Sequence, residues 1–162
     1  MARSDARITL LIEILDQAFD QKAWHGTTLR GSLRGLLADE VLWRPAPRRH
    51  CIWEVALHTA YWKYATRRRL TGEARGSFPR TGSNWPKPPR APSEAAWDAD
   101  VALLVEQHTL LREAVAAMSA VRLDRRPRGS VWTYREMIHG VAAHDLYHAG
   151  QVQLLKRLRS RR

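Results

Sequence analysis

The chain has 162 residues and a formal net charge of +11, with a sequence pI near 10.9. This length predicts one domain, residues 1–162, that can bury a core of its own, and the single cysteine, Cys51, excludes an internal disulfide framework. The first apolar run is interrupted by Glu13, so neither a signal peptide nor a membrane span is visible. We therefore expect a soluble, cytoplasmic protein with no membrane partner.

The basic charge raises the question of a nucleic-acid partner. Much of the excess lies in the run 67–69 and in the basic tail at about residues 156–162, each at the C-terminal end of a predicted helix. Cations at these positions offset the negative end of the helix dipole. We therefore favour helix stabilisation as the explanation and consider nucleic-acid binding the weaker alternative.

Helix one is predicted over about residues 5–22, where apolar side chains recur at helical spacing after Ser4 or Asp5 as the cap. Residues 28–43 predict one or two short helical pieces that pack across the bundle and stop at Pro45 and Pro47. The leucines that these pieces are expected to turn inward are Leu29, Leu33, Leu36, Leu37 and Leu42.

Helix two is predicted over about residues 51–70, followed by Gly72, and its apolar stripe includes Val55 and Trp62. The next segment, about 71–92, contains five prolines and is predicted to be a loop. So long a loop in a compact domain is usually functional or a crossover between distant helix ends. Trp85, alone in this loop, either covers a site or anchors the crossover to the core, and we favour the anchor.

Helix three is predicted to start after Ser93 and to carry apolar side chains at the three- and four-residue spacing of bundle packing. Helix four is predicted to begin at a capping box formed by Thr133 and Glu136 and to run to about Arg159. The whole pattern predicts an all-α fold. It is a four-helix bundle with a long crossover loop between helices two and three and short helical pieces between helices one and two.

Two histidines of helix four, His144 and His148, are four residues apart and therefore share one helix face. Apolar residues such as Val141 and Leu155 lie on the same face, so both imidazoles are expected to point into the bundle. Two imidazoles buried together lose hydration, and a shared metal ion compensates for that loss. A hydrogen-bonded structural pair is the alternative.

A third ligand is expected from another helix, and His58, midway along helix two, is the best placed. Cys51 lies about 10.5 Å away along the helix axis, too far to share an ion with His58. His139 points to a different face from His144. His108 is the competitor, because it lies in the apolar stripe of helix three, and we interpret it as a core histidine or one that supports a ligand.

Glu54 precedes His58 by one helical turn and is the candidate general base or ligand-orienting acceptor, with a surface glutamate as the alternative. Asp145 points about 100° away from His144 and is expected to pair with an arginine of another helix. Two further histidines lie at breaks in the pattern, where they either line the mouth of a site or have a structural role: His25 and His50.

The last helix resembles the signature of the DinB/YfiT-like metalloproteins in the run His144-Asp145-Leu146-Tyr147-His148-Ala149-Gly150-Gln151-Val152-Gln153-Leu154-Leu155-Lys156-Arg157. Four earlier segments are also similar to one branch of that family. They are Trp24-His25-Gly26, Trp43-Arg44-Pro45-Ala46-Pro47, Ile52-Trp53-Glu54 and His58 through Tyr61-Trp62-Lys63-Tyr64. The resemblance covers about residues 20–158. It implies a four-helix bundle, a divalent zinc- or nickel-like ion on His58, His144 and His148, and frequent homodimers.

Three imidazoles leave at least one coordination position of such an ion open. A water there can have its pKa lowered toward about 7, which permits hydrolysis, and a thiol there is held as the nucleophilic thiolate. The resemblance accordingly implies a small-molecule substrate and either a metal-dependent hydrolase or a transferase that uses a low-molecular-weight thiol. A non-catalytic metal-binding or structural bundle is the alternative.

Overall fold

The computed structural model describes residues 5–160, and every regular element within them is helical. The elements are α1 (Ala6–Phe19), α2 (Leu29–Leu33), α3 (Ala38–Leu42), α4 (Ile52–Thr71), α5 (Glu94–Ala116) and α6 (Tyr134–Arg159), with a short 3₁₀ turn at Ala120–Arg122. The four long helices pack as a bundle in which α4 contacts α5 and α6, and α1 contacts α5 and α6. The predicted all-α four-helix fold is confirmed.

Local capping side chains fix where the long helices begin. The Asp5 carboxylate accepts the backbone N–H of Arg7 and caps α1, whereas the other predicted cap, Ser4, lies outside the described residues. The Ser93 hydroxyl caps α5, and Thr133 forms the predicted capping box at the start of α6. Because these caps satisfy backbone N–H groups that the helix itself cannot pair, they define the first turns.

The helix ends differ from the prediction in detail. Helix α1 ends at Phe19 rather than near residue 22, and α4 ends at Thr71, with Gly72 as its C-cap. Gly72 adopts a φ of 81°, the left-handed conformation that glycine tolerates best, and this conformation stops the helix. No helix forms between this glycine and Ser93, so the predicted crossover segment contains irregular backbone.

The two short helices between α1 and α4 confirm the predicted helical pieces. Leu29 and Leu33 are buried in the core, and Leu36 and Leu42 pack against it. The inward placement of Leu37 is wrong, because its side chain is exposed. Leu37 is the N-cap residue of α3 and has an extended backbone, which turns it away from the face that the helical residues present to the core.

A fully buried ion pair joins α4 to α6. The Lys63 ammonium donates to one carboxylate oxygen of Asp145, and both side chains are 0% exposed. The expected arginine partner of Asp145 is therefore wrong. The rotation of Asp145 away from His144 places its carboxylate against α4, and there the residue within reach is a lysine.

The basic helix ends are partly neutralised by neighbouring groups. Arg67 pairs with Glu73 at the end of α4, and Arg159 pairs with Glu40 at the end of α6. The last residues of the predicted basic tail, 161–162, lie outside the described part of the chain. No helix within residues 5–160 has the length and apolar character needed to cross a membrane.

Candidate metal centre

Three histidines from two helices converge inside the bundle. His58 extends from α4, and His144 and His148 extend from adjacent turns of α6. The Nε2 atom of His144 lies 3.0 Å from Nε2 of His58 and 3.0 Å from Nε2 of His148. His58 and His148 are buried, and His144 is half-buried. The structure thus brings together the three side chains that the sequence predicted as ligands.

Two of the three rings are oriented through the nitrogen that faces away from the centre. Nδ1 of His58 lies 2.5 Å from the backbone oxygen of Asn84, and Nδ1 of His148 lies 2.8 Å from the side-chain oxygen of Gln151. These oxygens only accept, so each ring must donate from Nδ1 and direct an Nε2 lone pair to the centre. Histidines that bind metals are usually held in this way.

The donor set fits a divalent ion better than it fits a hydrogen-bonded cluster. With two Nε2 lone pairs fixed, His144 has one ring proton to offer from Nε2 and cannot donate to both at once. Its Nδ1 is buried and has no hydrogen-bond partner among the described residues. Nitrogen ligands of one ion lie about 2.0–2.1 Å from it, which is compatible with nitrogen atoms about 3 Å apart. The three histidines could therefore hold a divalent metal.

Burial keeps these imidazoles neutral near pH 7. Burial is the largest cause of their low pKa values, and the repulsion that a charged neighbouring ring would exert adds to it for His58 and His144. Together these effects lower the pKa of His58 to about 4 and that of His144 to about 3, and burial also lowers the pKa of His148. Neutral imidazole is the form that donates a lone pair to a metal.

An aromatic stack connects the crossover segment to the centre. The Trp85 indole lies between the rings of His50 and His58, with centroid distances of 3.6 and 3.7 Å and nearly parallel planes. Trp62 donates its indole N–H to the side-chain oxygen of Asn84 at 2.9 Å. Trp85 also packs against the core, which supports the anchor interpretation, and the same contact covers one face of His58.

Glu54 is engaged at the start of α4. Its carboxylate accepts two hydrogen bonds from Arg44, at 2.6 and 2.8 Å, and one each from the Cys51 backbone and His50 Nδ1. Burial alone would raise its pKa, but these hydrogen bonds outweigh burial and lower the pKa to about 2. The contacts give Glu54 a structural role behind His50, and its role as a general base stays a prediction.

The other histidines lie outside the cluster. His108 is buried in the core, where its ring stacks on Phe19 at 3.9 Å, and this confirms its interpretation as a core histidine. His50 lines the mouth of the site through its contact with Trp85. His25 is exposed in a turn.

Two cavities meet at the three histidines. The larger, of about 760 Å³, lies between α4 and the N-terminal half of α6. The smaller, of about 590 Å³, follows the C-terminal half of α6 toward the segment 45–50. His58, His144 and Trp85 line both cavities. Each volume is in the range of small-molecule sites, about 300–1,000 Å³.

Two orienting residues were not assigned from the sequence. Gln151 follows His148 by three residues, a spacing at which helix side chains meet, so the sequence contained a usable indication. Asn84 lies in irregular backbone 26 residues from His58, and no periodicity connects the two. The contact with His58 uses the backbone oxygen of Asn84, so the residue type at position 84 gives no indication of it.

Comparison with known proteins identifies a family for most of the chain. A family model described as the DinB superfamily matches residues 21–152, a range that includes all three histidines of the centre. No curated protein and no solved structure matches the chain.

Proposed function

The chain belongs to the DinB superfamily, and we propose that it is a metal-dependent enzyme whose zinc or nickel ion is held by His58, His144 and His148. The observation that carries this proposal is the convergence of three Nε2 atoms, two of them on rings whose Nδ1 atoms are held by oxygen. When bound, the ion would act as a Lewis acid and lower the pKa of a water or a thiol in its open coordination position.

The chain's own groups prepare the site. The Asn84 carbonyl and the Gln151 side chain orient His58 and His148, and α6 fixes the separation of its two histidines. Trp85 shields one face of His58 from solvent. Closed structural zinc sites usually have four protein ligands, so a three-histidine centre favours a catalytic role over a purely structural one.

The two cavities favour the thiol-dependent transferase over the hydrolase. Hydrolysis joins one organic substrate to water, whereas transfer to or from a low-molecular-weight thiol requires room for two organic molecules. The cavities of about 760 and 590 Å³ both reach His58 and His144, from opposite directions along α6. We therefore propose that a thiol and its acceptor occupy one cavity each. The homodimer implied by the family resemblance and the cytoplasmic location stay predictions.

Metal analysis tests the centre directly. Tag-free protein should contain about one transition-metal ion per chain, and His144→Ala and His148→Ala should each lose it. His139→Ala is the matched control, because His139 lines the larger cavity but does not belong to the cluster, and it should retain the metal. The metal-loaded wild type should then consume an acceptor only when a thiol is present. Stoichiometric metal in both ligand variants would refute the site, and thiol-independent ester or amide cleavage would favour the hydrolase.

A further inference from the structure

The larger cavity is an elongated groove between α4 and α6, and it is called the α4–α6 groove below. One wall consists of His58, Trp62, Thr66 and Arg69, which follow one another at four-, four- and three-residue spacing on one face of α4. Eleven residues separate the first from the last, about 16 Å of helix. The groove therefore has the histidine centre at one end and an arginine at the other.

The facing wall comes from α6, which runs antiparallel to α4. His144 lies at the centre, Gly140 one turn away and Glu136 a further turn away. A Cβ atom added to Gly140 would meet no heavy atom within 4 Å, so the groove is open at its midpoint. A ligand can therefore pass along α6 from the centre toward the arginine end.

The middle of the groove is aromatic and exposed. Trp62 is 36% exposed and Trp132 is 59% exposed, and both line the cavity together with Met137. The Trp62 indole is held in place by its hydrogen bond to Asn84. Exposed aromatic faces on both sides of a groove suit a flat apolar body, which covers them and excludes water.

The far end of the groove presents a cation, the guanidinium of Arg69. Within residues 5–160, the Arg69 side chain makes no ion pair or hydrogen bond, whereas nearby Arg67 pairs with Glu73. Glu136 on the facing wall is engaged by Thr133, whose backbone N–H and hydroxyl donate to one of its oxygens at 2.7 and 2.8 Å. A guanidinium left available in this way matches the geometry of a carboxylate.

We propose, on the basis of the function proposed above, that the α4–α6 groove binds an elongated aromatic carboxylate. The aromatic body packs between Trp62 and Trp132, and the carboxylate pairs with Arg69. The end opposite the carboxylate then lies at His58 and His144. This substrate class differs from that of a neutral ester or amide, because the anionic end is recognised at a distance from the centre.

Two matched probes test the role of the charge. We would use 4′-mercaptobiphenyl-4-carboxylate and its carboxamide with the zinc-loaded full chain and measure both dissociation constants by calorimetry. The acid should bind about tenfold more tightly than the amide, as expected for one charge-assisted pair. Arg69→Gln should abolish this preference. Arg68→Gln is the matched control and should retain it, because Arg68 lines a different cavity.

A second variant tests the location. Gly140→Leu should fill the open midpoint and weaken both probes at least tenfold without loss of zinc, whereas Gly140→Ala should have a much smaller effect. Equal affinities for the two probes in the zinc-loaded wild type, an unchanged preference in Arg69→Gln, or unchanged binding in Gly140→Leu would each overturn this inference. Absence of zinc from the wild type would instead overturn the proposed function, so the two failures are distinguishable.

Discussion

Histidines of one chain have different roles here because their neighbours differ. His108 and His148 both lie on apolar helix faces and both are buried. His148 meets two other imidazoles, whereas His108 stacks on Phe19 and lies 3.4 Å from the Lys63 ammonium. The Lys63 ammonium beside His108 opposes its protonation and would also repel a metal ion, and the Asp16 carboxylate, 3.4 Å from His108 Nε2, is itself paired with Arg112. The contrast explains why only one of these residues belongs to the centre.

We expect His108 to make the metal-free protein acid-sensitive. Burial and the nearby cations of Lys63 and Arg112 lower its pKa from 6.5 to about 3. The unfolded chain therefore binds a proton that the folded state excludes, so this contribution to stability is complete above pH 6.5 and is lost as the pH falls toward 3. At pH 5 the loss is about 2 kcal/mol for this one group.

Urea unfolding of the metal-free protein at pH 7.5 and pH 5.0 measures this effect. His108→Leu should lose about 2 kcal/mol less stability between the two pH values than the wild type does. His25→Ala, which alters an exposed histidine, should match the wild type. An equal pH dependence in His108→Leu and the wild type would show that His108 is protonated in the folded state.

The site depends on two elements, α4 and α6, and on how they are held together. Their interface contains the buried pair of Lys63 and Asp145, one residue after Trp62 and one after His144. Burial raises the pKa of Asp145, and the Lys63 charge opposes that rise. One Asp145 oxygen has no hydrogen-bond partner among the described residues, so the pair is not fully satisfied. Such a pair is weak evidence for net stabilisation, but losing one member is costly.

Single and double substitutions of this pair should therefore differ in how much stability they lose. Lys63→Met or Asp145→Leu alone leaves one uncompensated buried group and should lower the free energy of unfolding by about 3–5 kcal/mol. The double variant removes both charges and should recover most of that loss, with chemical denaturation as the measurement. Single variants within about 1 kcal/mol of the wild type, or a double variant as unstable as the sum of the two, would contradict this account.

At the scale of the elements, the sequence predicted where the long helices lie. It did not predict which residues of other segments contact the side chains on those helices. Apolar spacing and the caps at Asp5, Ser93 and Thr133 indicated the long helices, because these features act within one segment. The His144–His148 pair follows from the same local geometry. The lysine partner of Asp145 and the carbonyl of Asn84 come from other segments, and spacing within a helix carries no information about them.

At the scale of the whole molecule, the three-histidine centre connects two helices, α4 and α6, that are far apart in the sequence. His58 and His144 are 86 residues apart, and an ion held by both is bound only when α4 and α6 are packed together. Metal binding should therefore add to the free energy of unfolding by mass action, since the unfolded chain presents no preformed site. The crossover segment contributes as well, because it supplies the oxygen that orients His58.

We expect zinc to raise the melting temperature of the metal-free wild type. At a free concentration 100 times its dissociation constant, a ligand specific for the folded state contributes about 2.7 kcal/mol. For a domain of this size, each kcal/mol corresponds to about 2–4 °C, so the rise should be about 5–11 °C in a calorimetric scan. His144→Ala should abolish the rise, whereas His139→Ala, on the same helix but outside the cluster, should keep it. A similar rise in His144→Ala would mean that zinc stabilises the protein at some other place, because two histidines alone cannot reproduce the three-nitrogen centre.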